Sequence, residues 1–139
     1  MTTTATSKSL LSWDIPIAPV PASRPRVPRF GKPYYVGKYK VFRTEFGPII
    51  DQVCEDISHE VYDHPLQVSL GFVCYKPAKP ANSFPNGDID NYVKAALDQM
   101  NGKLFVDDKL VTTLVAWKRY TQEGESPHIK LEILDGRST

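Results

Sequence analysis

Between Gly87 and Val111 the chain carries Asp88, Asp90, Lys94, Asp98, Asp107 and Asp108. Carboxylate oxygens are ligands for hard divalent cations, and Mg2+ is typically held by one or two of them, with water and substrate phosphate completing its shell. Asp88, Asp90 and one of Asp107 and Asp108 would suffice, with Asp51 or Glu55 as outer candidates. A cation held in this way lowers the pKa of its bound water and neutralises charge on a phosphoryl group, which suits phosphodiester hydrolysis. Lys94 would then stand beside the reacting phosphate. The same residues also have a purely structural reading, with Asp88 and Asp90 as helix caps, Asp90 and Lys94 as a surface ion pair, and Asp107-Asp108 as a turn. D-x-D by itself is a weak motif.

A helix must position most of this set. At roughly 100° per residue, Ile89, Val93, Ala96, Leu97 and Met100 share one apolar face, while Asp90, Lys94 and Asp98 form a row at i, i+4 spacing along another edge. Pro85-Asn86-Gly87 reads as the turn before the helix and Asn101-Gly102 as its C-cap. Asp107 and Asp108 open a β-branched run, so the strand it forms is expected to carry them back toward the start of the helix.

The string G-D-I-D-N-Y-V-K-A-A-L-D-Q-M-N-G followed by L-F-V-D-D-K-L-V closely resembles the RusA family of Holliday-junction resolvases. The family pattern runs D-x-D-N-x-x-K-x-x-x-D-x-L-N-G and then D-D-x-x-V. The likeness covers residues 87 to 111 without a departure at a charged position; Met100 stands where the family often has Leu, a swap of similar volume. Upstream, P-A-S-R-P-R-V-P-R-F-G-K-P-Y-Y is more loosely similar to the family's basic, proline-rich segment. The resemblance implies that Asp88, Asp90 and Asp108 are the essential acids, Lys94 the essential lysine, and Asp107 and Asp98 further matches without a clear role. It implies a homodimeric, intracellular endodeoxyribonuclease of prokaryotic or phage type that needs Mg2+, with Mn2+ as a substitute, and that acts on four-way DNA junctions.

The remainder of the chain supports a nucleic-acid partner. The 139 residues carry a net charge of only +1, yet Arg24, Arg26, Arg29, Lys32, Lys38, Lys40 and Arg43 fall between Asp14 and Glu45 with no acid among them. This basic arm, residues 22–43, is interleaved with Phe30, Tyr34, Tyr35 and Tyr39, so it can neutralise phosphates while its rings stack on bases or pack into the core. For each ring taken alone, core packing is the expectation. Lys76 and Lys79, in a loop before the acidic segment, are further candidate phosphate contacts. Cys54 and Cys74 lack C-x-x-C spacing and are expected to be reduced and partly buried, and His59, His64 and His128 have no zinc spacing. There is no apolar leader and no run long enough to span a membrane, which predicts a cytoplasmic protein.

The predicted architecture is an α+β or mixed α/β fold, one sheet of about four strands against two main helices, in a single domain over residues 10–135, with tails at 1–9 and 136–139. A first strand is expected at Leu10–Ile17, a helix from Tyr39 to about Ser58 that Gly47-Pro48 divides in two, and a strand at Leu66–Tyr75. Leu110–Tyr120 and His128–Leu134 are expected to pair as an antiparallel hairpin, with Trp117 in the core or a dimer interface and Lys118 and Arg119 on a binding surface. These features favour a Mg2+-dependent endonuclease for branched DNA. A non-catalytic junction- or single-strand-binding protein would leave the aspartates structural, and a small-molecule phosphohydrolase would leave the basic arm without a purpose.

Overall fold

The computed structural model describes residues 8–56 and 60–137. Strand β1 (Ser9–Ile15) is followed by a long irregular segment, helix α1 (Gly37–Asp56), strand β2 (Leu66–Cys74), helix α2 (Ile89–Met100), a short 3-10 turn (Asp108–Leu110), and strands β3 (Val111–Tyr120) and β4 (His128–Asp135). The strands form one mixed sheet in the order β1-β4-β2-β3. β2 and β3 are parallel, whereas β4 is antiparallel to both of its neighbours, β1 and β2. Four strands and two helices agree with the architecture read from the sequence.

The core is the inward side of the sheet. Alternation puts Leu66, Val68, Leu70 and Phe72 of β2 and Ile129, Leu131 and Ile133 of β4 on that side, and all of them are buried. Helix α1 supplies Tyr39, Phe42, Phe46 and Ile50, spaced at three and four residues so that they lie on one stripe. Helix α2 adds Tyr92, Val93, Ala95, Ala96 and Met100. Its apolar face is therefore rotated from the expected one: Tyr92 is buried, whereas Ile89 at the open end of the helix is 38% exposed.

Two further expectations, on α1 and on the β3–β4 pairing, are corrected. Helix α1 is continuous through Pro48. A proline there forfeits one i to i−4 hydrogen bond, and the burial of Phe46 and Ile50 on either side of it outweighs that loss. The helix also begins two residues early, at Gly37; Ile57, Ser58 and His59 lie outside the described residues. β3 and β4 do not form a hairpin, because β2 lies between them. The fully apolar inward side of β4 is buried between two neighbours, while β3, whose residues Thr112–Val115 are exposed, takes the edge. At both ends the described sheet reaches the expected domain bounds to within one residue. Ser9 belongs to β1, Asp135 to β4, and the Gly136 N–H donates to the Pro65 carbonyl at 2.9 Å; the rest of the expected tails, residues 1–7 and 138–139, lies outside the described residues.

Both cysteines are free, Cys54 half-buried and Cys74 buried, as expected. Among the described residues no helix is long and apolar enough to cross a membrane. The connection from β3 to β4 is stapled by a forked ion pair, Arg119 donating to Glu125 at 2.6 and 2.8 Å, with Gln122 N–H donating to the same carboxylate at 3.0 Å. These hydrogen bonds, Arg119 first, pull the Glu125 pKa from 4.5 down to about 2. A depressed carboxylate stabilises the fold above its unfolded pKa and loses that contribution as pH falls through its folded value. The urea midpoint of the wild type is therefore expected to exceed that of Glu125→Gln above pH 4.5, and the difference is expected to close as the pH drops toward 2.

Candidate active site

β2 ends at Cys74 and the chain then runs without regular structure to Asp88, through Pro77, Pro80 and Pro85. Prolines lack the donor a helix or ladder needs, which accounts for the irregular path and leaves the segment to be held by other elements. Three groups hold its end. The Lys118 ammonium, rising from β3, donates to the carbonyls of Pro85 at 2.8 Å and Gly87 at 2.5 Å. Tyr92 packs against Gly87 so closely that a Cβ there would lie 2.8 Å from the ring and 3.0 Å from Pro21, so only glycine fits. Ala22 N–H, in the irregular segment after β1, donates to the Asn91 carbonyl at 2.8 Å. Burial first, and then the adjacent Cys74 thiol, push the Tyr92 phenol well above its ordinary pKa, so it serves here as a neutral packing group.

Asp88 is the N-cap residue of α2 but makes no side-chain cap bond. The Asp90 carboxylate accepts from Asn91 N–H at 3.0 Å. Both acids are exposed. At about 1.5 Å of rise per residue the row continues along the helix, where Lys94 pairs with Asp98 at 3.3 Å. Asn101 closes α2, its N–H donating to Leu97, and Gly102 takes the left-handed conformation (φ 81°) that turns the chain back, as expected.

Asp107 and Asp108 return at the turn before β3. Asp107 accepts from Lys109 N–H at 2.9 Å, and that bond holds its carboxyl below the usual range. Asp108, half-buried beside it, is raised first by desolvation, then by Asp107 and by the charge of Asp98, with Lys94 acting in the opposite sense. The tertiary structure thus brings Asp107, Asp108, Asp98 and Lys94 within electrostatic reach of one another. Asp88 stands at the N-cap and Asp90 in the first turn of the helix that carries Lys94 and Asp98. Among the described residues no three His, Cys, Asp or Glu side chains are grouped closely enough to hold an ion as they stand. The donors nevertheless suit Mg2+ in kind: all are carboxylates, and one or two suffice for an ion that keeps several waters. Asp51 is committed elsewhere, paired with Lys103 at 3.0 Å, and Glu55 is exposed on α1.

The basic arm divides in two. Arg26, Arg29 and Lys32 lie in an exposed loop closed by paired backbone hydrogen bonds between Arg26 and Tyr34, at 2.7 and 2.9 Å, and Arg24 is exposed just before it. At its tip Arg29 lies over Phe30, which is 84% exposed. Lys38, Lys40 and Arg43 belong to the first turns of α1, which has no acid in its first turn. Cations at a helix N-terminus oppose its dipole, so this placement costs stability and concentrates positive potential. The rings separate likewise: Tyr39 is buried as expected and Tyr35 half-buried, whereas Phe30 and Tyr34 remain exposed. The Arg43 guanidinium stacks 4.2 Å from the Tyr35 ring centre. Tyr34, Tyr35, Lys40 and Arg43 meet Gln99 of α2 around a cleft of about 410 Å³. Asp98, next to Gln99, raises the Tyr39 phenol by its charge, after burial, so this member of the acidic row lies near the basic helix. A larger apolar hollow of about 780 Å³, lined by Ile17, Val20, Val41 and Phe42, contains none of these acids. Lys76 and Lys79 are exposed in the loop after β2, and Trp117 is half-buried with its ring over Gly71.

Lys118, expected on a binding surface, instead reaches into the loop before Asp88, a contact that sequence reasoning misses. A signal for it exists. Leu114, Ala116 and Lys118 alternate onto the inward side of β3, and a lysine at an inward position needs a polar partner.

No curated protein matches the chain. The family model for RusA endodeoxyribonucleases does, over residues 16–134, which takes in every strand apart from β1 and the end of β4, both helices, the basic arm and the whole acidic row. With nearly the full described fold inside that match, the chain belongs to the RusA endodeoxyribonuclease family.

Proposed function

We propose that this nuclease resolves four-way DNA junctions by paired phosphodiester hydrolysis in recombination and repair, with Mg2+ as cofactor. The observation that carries the reading is the approach of a basic, aromatic helix start to α2, the helix along which the acidic row runs, with Gln99 in their shared cleft and Asp98 near Tyr39, since nucleic-acid cleavage needs cations for the backbone and carboxylates at the scissile phosphate. Asp88, Asp90 and Asp108, with Asp107 beside it, are the residues that would hold the ion. When bound, it would supply charge neutralisation and a more acidic water. Lys94, kept in place by Asp98, stabilises negative charge on the phosphate. Arg24, Arg26, Arg29, Lys32, Lys38, Lys40, Lys76 and Lys79 bind the arms of the junction. Incubating labelled four-way junction and linear duplex with the protein, with and without Mg2+, tests the reading. Symmetric Mg2+-dependent cuts in the junction are expected, and tight binding without cutting would return the aspartates to a structural role.

Replacing Arg24, Arg26 and Arg29 together with Ala is expected to weaken junction binding and to flatten its dependence on salt, by roughly one unit of log-log slope for each phosphate that the loop no longer neutralises. All three side chains are exposed, so folding should be unaffected. An unchanged slope in a salt titration would remove the loop from the interface.

We also infer a homodimer. The chain has one acidic row, and two cuts related by two-fold symmetry call for two. β3 is an open edge whose stretch Val111–Trp117 carries no charge and exposes Leu114 by 44% and Val115 by 56%. Unprotected edges of this kind favour pairing with another chain.

A further inference from the structure

We propose that Lys118 is a positioning residue for the nuclease reaction: from the neighbouring strand it holds the loop that delivers Asp88 and Asp90. The inference rests on the nuclease reading and goes beyond it, because Lys118 lies outside the acidic row and its hydrogen bonds go to backbone carbonyls rather than to any of the row's carboxylates.

The geometry has three parts. First, Lys118 is not a solvated strand lysine. It is opposite Phe72 in the β2–β3 register, on the inward side of the sheet, and is half-buried. A lysine placed there gives up water and must have partners. Second, its partners are backbone carbonyls of one loop turn, Pro85 at 2.8 Å and Gly87 at 2.5 Å, while the Phe84 ring lies 5.5 Å from the ammonium. Three attachments, at residues 84, 85 and 87, leave that turn little freedom relative to β3. Third, the turn runs directly into Asp88, whose side chain makes no cap bond of its own. The position of the Asp88 carboxylate therefore depends on its backbone, and that backbone depends on Lys118 and on the packing of Gly87 against Tyr92 and Pro21. Lys118 also ties the two halves of the site together, because β3 begins just after Asp107 and Asp108. One strand thus carries one pair of acids at its start and fixes the other pair from its far end.

A DNA-binding role would require the ammonium to face solvent, and one already satisfied by two carbonyls would have to break both bonds to reach a phosphate. The positioning role predicts a different pattern. Misplacing a reacting group by about 1 Å can cost roughly a hundredfold in rate while leaving binding intact. Lys118→Met, which keeps the apolar stem and removes the donors, is expected to lower the rate of junction cleavage tenfold to a hundredfold, with the half-saturating junction concentration changed less than threefold. Lys118→Arg, which can still donate to both carbonyls, is expected to recover most of the rate. In the protein without metal or DNA, amide hydrogen exchange over residues 84–91 is expected to speed up in Lys118→Met and not in Lys118→Arg, with β2 and β4 unchanged. Should Lys118→Met fail to fold, Lys118→Gln, whose shorter polar tip reaches at most one carbonyl, takes its place in both measurements. Unchanged exchange in the loop, or faster exchange with an unchanged cleavage rate, would overturn the proposal, as would weakened junction binding with a reduced salt slope. If the wild type cuts no DNA, the nuclease reading fails, and with it the catalytic half of the proposal; the exchange comparison still decides whether Lys118 holds the loop.

Discussion

Asp88→Asn, Asp90→Asn and Asp108→Asn are each expected to slow junction cleavage by at least roughly a hundredfold while junction binding is kept or tightened. Groups that merely support a metal ligand are worth about ten- to a hundredfold when removed, so the ligands themselves should exceed that. An amide has the shape of the carboxylate but not its charge, which makes it a poor partner for a hard cation and a better neighbour for DNA. The folded state should tolerate all three changes. Asp88 makes no cap bond, and in Asp90→Asn the amide oxygen can accept from the Asn91 N–H as the carboxylate does. Asp108 goes further: desolvation, Asp107 and Asp98 all disfavour its charge, so the neutral amide should leave the protein at least as stable at neutral pH. Thermal unfolding and single-turnover cleavage together check this. Loss of cutting with unchanged or raised stability marks a residue kept for chemistry at the expense of the fold. Full cleavage by any one variant at moderate Mg2+ would remove that residue from the mechanism.

A mixed dimer of one wild-type and one Asp90→Asn subunit is expected to bind a four-way junction normally and to make one nick per binding event, so that paired cuts all but disappear. Each protomer has one acidic row, and a two-fold dimer matches the two-fold symmetry of the strands to be cut. Differently tagged subunits, purified as the mixed species and assayed on a junction in a supercoiled plasmid, separate nicked from linear product within a single encounter. Coordinated paired cuts by the mixed dimer would show that one site serves both strands. A monomer at micromolar concentration by sedimentation, still a monomer on a junction that it resolves symmetrically, would defeat the dimer itself. If β3 is the contact, Leu114→Lys should raise the dimer dissociation constant, because a charge on an edge strand blocks pairing.

Much of this protein is legible in the order of its residues, wherever the determining interactions are local. The i, i+4 spacing of Asp90, Lys94 and Asp98 states a helix edge, and the Lys94–Asp98 pair realises it. Asn101-Gly102 states a stop, because glycine alone adopts a left-handed turn at little cost. Alternation marks the inward residues of β2 and β4. The charge-free β-branched run of β3 and the acid-free basic arm can likewise be read directly, since propensity and charge travel with the residue itself.

Other features were decided only by the tertiary structure, where the same local pattern is compatible with more than one packing. The connection Thr121–Pro127 is long enough to make a hairpin or to step over one strand, and the burial of the inward face of β4 between β1 and β2 selected the second. Pro48 reads as a helix break until Phe46 and Ile50 are seen to be wholly buried on either side of it. The aspartates show the same division. Their types and spacing are in the sequence, but which of them meet is not: Asp108 lies within reach of Lys94 and Asp98, while Asp88 is placed by a loop that a lysine on another strand holds. Long-range juxtaposition depends on how strands are ordered and how helices rotate against them, and neither is written in any single stretch of the chain.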